Sequence, residues 1–285
     1  MRGVWRLRNW LHEQKRRHHL RQAGRAVSRF PDVTARTPHG LGAPLIVTLT
    51  SYPPRFPTLG ATLRSLLDQT VRADRTILWL AEKDLPQLPG DVVALKDFGL
   101  EIRSCADLRS YKKLVPALRA FPGAWFATAD DDVYYRPDWL EGLVGQAASQ
   151  NRTVIAARAH LARLDGAGRL VPYLEWEMNT HRLRAPSPGT RLFPTGVGGV
   201  LYPPDAFADA VTDEDAFMRL CPHGDDIWFF WMARLAGTGQ ARTPSGFEIL
   251  AWPRSQEVGL FHENQYNSRN DAQIRNMEDA FGRVP

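Results

Sequence analysis

Three carboxylates in a row, Asp130-Asp131-Asp132, follow an apolar run at 124–128. Adjacent like charges at the end of a buried strand repel one another and cost stability unless a cation neutralises them. Hard oxygen donors of this kind suit Mg2+ or Mn2+, ions that keep coordination positions for substrate phosphates. The triplet is also compatible with a solvated acidic turn or a helix N-cap. A second acidic pair, Asp225-Asp226, follows Gly224 and opens a strongly apolar segment. One of the two carboxylates is suited to cap that helix and the other to face a site. His262 offers an imidazole that suits Mn2+ beside carboxylates, or a structural ring.

Other residues carry recognition chemistry. Tyr52 presents a stacking face and Arg55 a donor to phosphate or base, in a turn that Pro53-Pro54 also makes rigid. Asp107 and Tyr111-Lys112-Lys113 lie before the acidic strand. One of these lysines can neutralise a diphosphate as a point charge, or both can decorate a solvated helix face. Glycines 196, 198 and 199, with Gly198-Gly199 adjacent, let backbone approach a ligand closely. Trp176, flanked by Glu175 and Glu177, presents an aromatic face on which a ring can stack. Its alternative is core packing.

Positioning these residues requires elements, and their pattern is regular. Runs at 45–49, 76–80, 100–103 and 124–128 read as strands. Leu59, Leu63, Leu66 and Leu67 fall at helical spacing up to Asp68, and 111–121 reads as a second helix with Leu114 and Leu118 one turn apart. Strands alternating with helices imply an α/β fold with a mostly parallel sheet, which binds ligands at the carboxyl ends of its strands. Farther on, 137–150 and 225–235 read as helices, and 154–157, 196–202, 247–250 and 259–262 as strand or glycine-rich turn. The last twenty or so residues are polar and are expected to be partly mobile.

The 285 residues carry a net charge of +5, distributed unevenly. Residues 1–36 hold ten Lys/Arg against Glu13 and Asp32, or +8, and the remainder is −3. The basicity belongs to a helix-compatible arm and not to the body, which excludes a nucleic-acid-binding domain that carries its charge on the fold. The arm, with Trp5, Trp10 and Leu11 among its arginines, suits an anionic membrane surface or a solvated helix. It lacks the continuous apolar core of a signal peptide. We expect 1–43 to form a basic helical arm and linker, with 1–36 dispensable for chemistry, and 44–285 to form the catalytic domain. Two cysteines give neither a disulfide framework nor a CxxC pair, which predicts a reducing, cytoplasmic compartment, with the arm as the contact to the cytoplasmic membrane face. No run of about 18 apolar residues spans a membrane.

Taken in order, Val47-Thr48-Leu49-Thr50-Ser51-Tyr52, Ser65-Leu66-Leu67-Asp68-Gln69-Thr70, Asp130-Asp131-Asp132, Gly198-Gly199, Gly224-Asp225-Asp226 and His262 resemble the nucleotide-sugar-dependent glycosyltransferases of the A-type fold, close to family-2-like bacterial enzymes. The matching pieces span 45–262. The resemblance implies a Rossmann-like, mostly parallel central sheet with helices on both faces. It implies a nucleotide-diphosphate sugar donor whose sugar lies close to Gly198-Gly199, a saccharide or glycolipid acceptor in a pocket shaped by Trp176 with Glu175 and Glu177, and Mn2+ or Mg2+. It places base and ribose against Thr50, Ser51, Tyr52 and Arg55, with Asp107, Lys112 and Lys113 nearby. It sets Asp130 toward ribose or metal waters and Asp132 on the metal, with Asp131 fitting either pairing, and makes His262 a further ligand. It makes Asp226 the general base of an inverting reaction, with Asp225 as the alternative. The order excludes a dehydrogenase, which wants GxGxxG after its first strand where this chain has Tyr52-Pro53-Pro54-Arg55. Two rivals stand: a nucleotidyltransferase acting on sugar phosphates, and a catalytically dead carbohydrate-binding homologue.

Overall fold

Apolar runs bounded by turn residues give this chain its strands, and the computed structural model describes residues 2–147, 152–253, 255 and 269–284. A long helix, α1 (Arg2–Ser28), leads through β1 (Thr37–Pro38) into β2 (Leu45–Thr50), α2 (Phe56–Leu67), β3 (Val71–Arg72) and β4 (Arg75–Ala81). The short α3 (Gly90–Val93), β5 (Leu100–Cys105), α4 (Val115–Ala120), β6 (Trp125–Ala129) and α5 (Trp139–Ala147) follow. The second half adds β7 (Thr153–Ala156), β8 (Ala159–Arg163), β9 (Thr190–Pro194), β10 (Val200–Tyr202), α6 (Glu214–Leu220), α7 (Asp225–Leu235), β11 (Gly239–Arg242) and α8 (Arg269–Phe281).

Among the described residues the main sheet has seven strands in the order β5-β4-β2-β6-β10-β7-β11. Only β10 runs antiparallel to its neighbours. Side chains along β2 and β4 alternate between two cores. Leu45, Val47, Leu49, Leu78 and Leu80 pack with α2 and α5, while Ile46, Ile77 and Trp79 pack with the aromatic face of α7. Burial on both faces explains why these strands read as continuous apolar runs. The expected fold class holds: a Rossmann-like, mostly parallel α/β layer with helices on both faces. The chain winds outward through β2, β4 and β5, then restarts at β6 and winds the other way. The crevice outside the carboxyl ends of β2 and β6 is therefore the topological switch point, where such sheets bind ligands.

Several expectations are corrected. The helix expected over 111–121 is split into a 3-10 turn at Arg109–Lys113 and α4. Pro116 sits in the first turn of α4, where its missing N–H is tolerated, and Leu114 at the cap has a non-helical φ of −134°. The run 247–250 forms no strand, and only Ala251 bridges Val133. The strand expected at 259–262 lies outside the described residues. The polar end is not loose through 269–281: α8 buries Ile274 and Met277 against the α7 core. Its polar residues fill the outer face, which is what composition alone registered. The arm is seated on the body from its second half onward. Ala23 is buried, His19 pairs with Glu248 at 2.8 Å, and the Asp68 carboxylate accepts from the N–H groups of Asp32 and Val33. No helix among the described residues is long and apolar enough to cross a membrane.

Candidate functional site

The switch point brings the β2 turn onto the acidic triplet. Ser51 Oγ donates to Asp131 Oδ2 at 2.6 Å. The Arg55 guanidinium, lifted there by the Pro53–Arg55 turn, pairs with Asp132 and donates to the Ser255 carbonyl. It also hydrogen-bonds Tyr52. Burial pulls the guanidinium pKa down, but the Asp132 and Asp131 carboxylates outweigh it and hold it above its usual value. The Asp132 carbonyl accepts the Trp252 N–H at 3.0 Å, tying the chain end beneath the triplet. The Asp130 N–H donates to Tyr135 Oη at 2.7 Å. Burial pushes the Asp130 carboxyl up to about 7, with Asp132, Asp226 and Asp131 adding repulsion against the pull of Lys113. Burial and Asp132 likewise push Asp131 up to about 6, against the Ser51 bond and Arg55. This strand end carries more negative charge than its two neighbouring cations cancel.

A second cluster faces the first across Lys113. The Lys113 carbonyl accepts from Thr48 Oγ1 at 2.7 Å, which fixes the 3-10 turn over β2. Its buried ammonium lies 2.6 Å from Asp225 Oδ2 and 3.9 Å from Asp226 Oδ1. Burial opposes this charge, but Asp225, Asp226 and Asp130 hold the ammonium well above its ordinary range. Neither aspartate caps α7, contrary to expectation. Gly224 is the N-cap residue, and no side chain caps the helix. Asp225 is drawn to Lys113 instead, and Asp226 Oδ2 accepts the Gly196 N–H at 2.9 Å. A Cβ on Gly196 would stand 2.7 Å from both Asp226 Oδ1 and Lys113 Nζ, so the loop is shaped around these two groups. The Asp226 side chain keeps 33% exposure. Burial and the neighbouring Asp225 push its carboxyl up to about 6, against Lys113, the Gly196 amide and Arg158.

The structure thus brings together Ser51, Tyr52, Arg55, Asp130, Asp131, Asp132, Lys113, Asp225 and Asp226. Other expected residues have other employment. Thr50 Oγ1 donates to the Trp79 carbonyl at 2.8 Å. Lys112 is tied to Asp107 at 3.0 Å, and Lys83 holds the same carboxylate at 2.6 Å, which keeps Asp107 far below the usual carboxylate range. Of the two lysines, Lys113 is therefore the one at the acidic cluster. Gly198 and Gly199 answer to packing: at φ +95° and +92°, their missing Cβ atoms make room for Phe247, and for the Trp139 ring and Thr128 carbonyl. Trp176 is a core residue and not an open stacking face. It is 4% exposed, its ring lies 4.7 Å from Tyr173 and 5.1 Å from Phe193, and its Nε1 donates to the Val171 carbonyl. Glu175 is exposed in the adjacent 3-10 turn. His262 lies outside the described residues. Arg158, just past the β7 strand end and within the field of Asp226, escaped the sequence reading. Its only signal there is a basic residue directly after a buried strand.

No protein-family model matches the chain, and no curated protein matches it in sequence. Among solved structures, it is similar to glucosyl-3-phosphoglycerate synthase from Mycobacterium tuberculosis in complex with Mn2+, uridine diphosphate and glucosyl-3-phosphoglycerate, at 16% identity and TM-score 0.30. That match covers 40% of this chain and 43% of the synthase, less than half its length. It is also similar to CMP:2-keto-3-deoxy-manno-octonic acid synthetase complexed with CTP, at 14% identity and TM-score 0.40, over 70% of this chain and 88% of the synthetase. The fold class stands on the strand order itself.

Proposed function

We propose that this chain transfers a sugar from a nucleoside-diphosphate donor to a hydroxyl of a saccharide or glycolipid acceptor, with inversion at the anomeric carbon. The observation that carries the reading is Asp226. It is a partly open carboxylate, pushed up to about 6 by burial and Asp225, fixed by the Gly196 N–H, and it shares Lys113 with the acidic switch-point cluster. A general base working near neutral pH needs such a value.

In this reading the donor lies over the carboxyl ends of β2 and β6. Tyr52 and Ser51 meet the nucleoside, and Lys113 lends positive charge to the diphosphate side. Asp226 accepts the proton of the acceptor hydroxyl as that oxygen bonds to the anomeric carbon. The bond from that carbon to the diphosphate oxygen breaks on the opposite face, and its electron pair leaves with the diphosphate. Asp225 keeps Lys113 in place beside the base. A hard divalent cation fits the donor set: Asp130 supplies carboxylate oxygens at a strand end whose three carboxylates outnumber Arg55 and Lys113, and Asp132, now paired with Arg55, would exchange that pairing for the cation. Among the described residues no three metal-ligating side chains converge, so phosphate and water oxygens would complete the shell. When bound, Mn2+ or Mg2+ supplies charge that stabilises the leaving diphosphate. Contact between the basic arm and an anionic membrane belongs to the same proposal, since it would bring a glycolipid acceptor to the site.

Chromatographic analysis of the released nucleotide tests the reading. Incubation with nucleoside-diphosphate sugars and Mn2+ should free the nucleoside diphosphate. Pyrophosphate formed from a nucleoside triphosphate and a sugar phosphate would replace it with a nucleotidyltransferase, and silence in both assays would leave a sugar-binding protein.

A further inference from the structure

Arg158 stands within the field of Asp226, the proposed base. Its Nη1 donates to Thr195 Oγ1 at 3.1 Å, and its carbonyl accepts the Thr195 N–H at 3.1 Å. The next residue, Gly196, gives its N–H to Asp226. Arg158, Thr195, Gly196 and Asp226 therefore form one continuous line of contacts beside the proposed base. Arg158 is half-buried, and among the described residues no carboxylate forms an ion pair with it. Burial pulls its guanidinium below the usual value, while the more distant Asp226 and Tyr173 pull the other way. Desolvated guanidinium groups cost stability unless an anion compensates them, and their planar forks match carboxylate and phosphate oxygens.

We propose that the acceptor is anionic, a sugar carrying a carboxylate or phosphate group, and that Arg158 binds that group. The inference rests on the sugar-transfer reading for the word acceptor, but its test does not depend on turnover. A ligand held by this fork places a neutral hydroxyl of the same sugar toward Asp226, which selects acceptors by charge.

The test is calorimetric titration of the full chain with glucuronate, glucose 6-phosphate and glucose. Each titration is run with UDP and Mn2+ present, so that phosphate binding on the donor side is competed away. UDP with Mn2+, titrated alone, reports on the donor proposal separately. One of the two anions should bind about tenfold or more tighter than glucose, and which one does so separates carboxylate from phosphate recognition. Arg158→Gln should lose that preference, and Arg158→Lys should keep part of it because the charge remains. Glucose binding as well as both anions overturns the proposal even if Arg158→Gln does not fold. So does a preference that survives in a folded Arg158→Gln.

Discussion

Asp226 carries a proton affinity raised to about 6 by burial and by Asp225, which has consequences for both rate and stability. In its proposed role as the base it must be ionised, so turnover should fall about tenfold per pH unit below about pH 6. Asp226→Asn should lower turnover by about 10²–10⁴-fold and remove that acid limb, while UDP affinity by calorimetry stays near wild type. The stability effect has the opposite sense. Between an ordinary carboxyl value and about 6, the folded protein binds a proton that the unfolded chain has released, so stability falls as pH rises through that window. Above it, ionised Asp226 is a burden. Asp226→Asn should therefore unfold at a higher temperature than wild type at pH 7.5. The gain should be on the order of 1 kcal/mol, discounted because a third of the side chain faces water, and should vanish near pH 4. Lys113 behaves differently, because it is buried against Asp225 at 2.6 Å. Lys113→Met should cost about 3–5 kcal/mol in urea unfolding by stranding a buried carboxylate, and adding Asp225→Asn should recover much of that loss. Additive losses in the double variant would show that the pair does not act as a unit.

At the level of elements, the loop from 195 to 199 ties the two halves of the cleft together. Gly196 and Gly199 lack side chains for different reasons. A Cβ on Gly196 would press on the side-chain ends of Asp226 and Lys113, whereas one on Gly199 would meet the Thr128 carbonyl and the Trp139 ring at φ +92°. Gly196→Ala should thus reduce turnover while changing stability by about 1 kcal/mol or less, because flexible side-chain ends can give way. Gly199→Ala should cost about 2–4 kcal/mol, since neither backbone nor indole can yield. Thermal melts and nucleotide release measured on both variants separate the two effects. Helix α7 shows how element boundaries can be legible while the work of their residues is not. Its span was readable from Asp225 through Leu235, but a lysine 112 positions upstream takes the carboxylate that local rules assign to capping. The split at Pro116 was locally signalled by the proline itself. Helix α8 was not signalled, because its few apolar residues matter only once α6 and α7 present a surface to bury them.

For the whole molecule, the basic arm divides at about residue 18. Residues 1–18 carry six Lys/Arg against Glu13, while from His19 onward the segment packs on the body through Ala23, Glu248 and Asp68. Deleting 2–18 should leave nucleotide release and melting temperature unchanged but weaken retention on anionic vesicles, with wild-type retention falling as salt rises. Deleting 2–36 should also lower the melting temperature, because the Asp68 carboxylate loses the N–H groups it accepts from and Phe30 leaves its contact with Phe98. Equal retention of the wild type and the shorter deletion would dismiss the membrane contact.

The sequence alone determined the α/β class, the strand runs, and the clustering of carboxylates at strand and helix ends. Those properties follow from local apolar periodicity and from charge repulsion between neighbours in the chain, and both act over a few residues. It did not determine which charge meets which. That Arg55 neutralises Asp132, that Lys113 and not Lys112 serves Asp225, that Trp176 is core, and that Arg158 sits beside Asp226 were decided by strand order. The reversal between β2 and β6 brings residues about 80 positions apart into contact, as Ser51 and Asp131 show. Burial in the assembled cluster then raises the proton affinities of Asp130, Asp131 and Asp226. Only the assembled sheet supplies that burial, because low dielectric and the repulsion of Asp225 exist at Asp226 only when β7, β10 and α7 have closed around it.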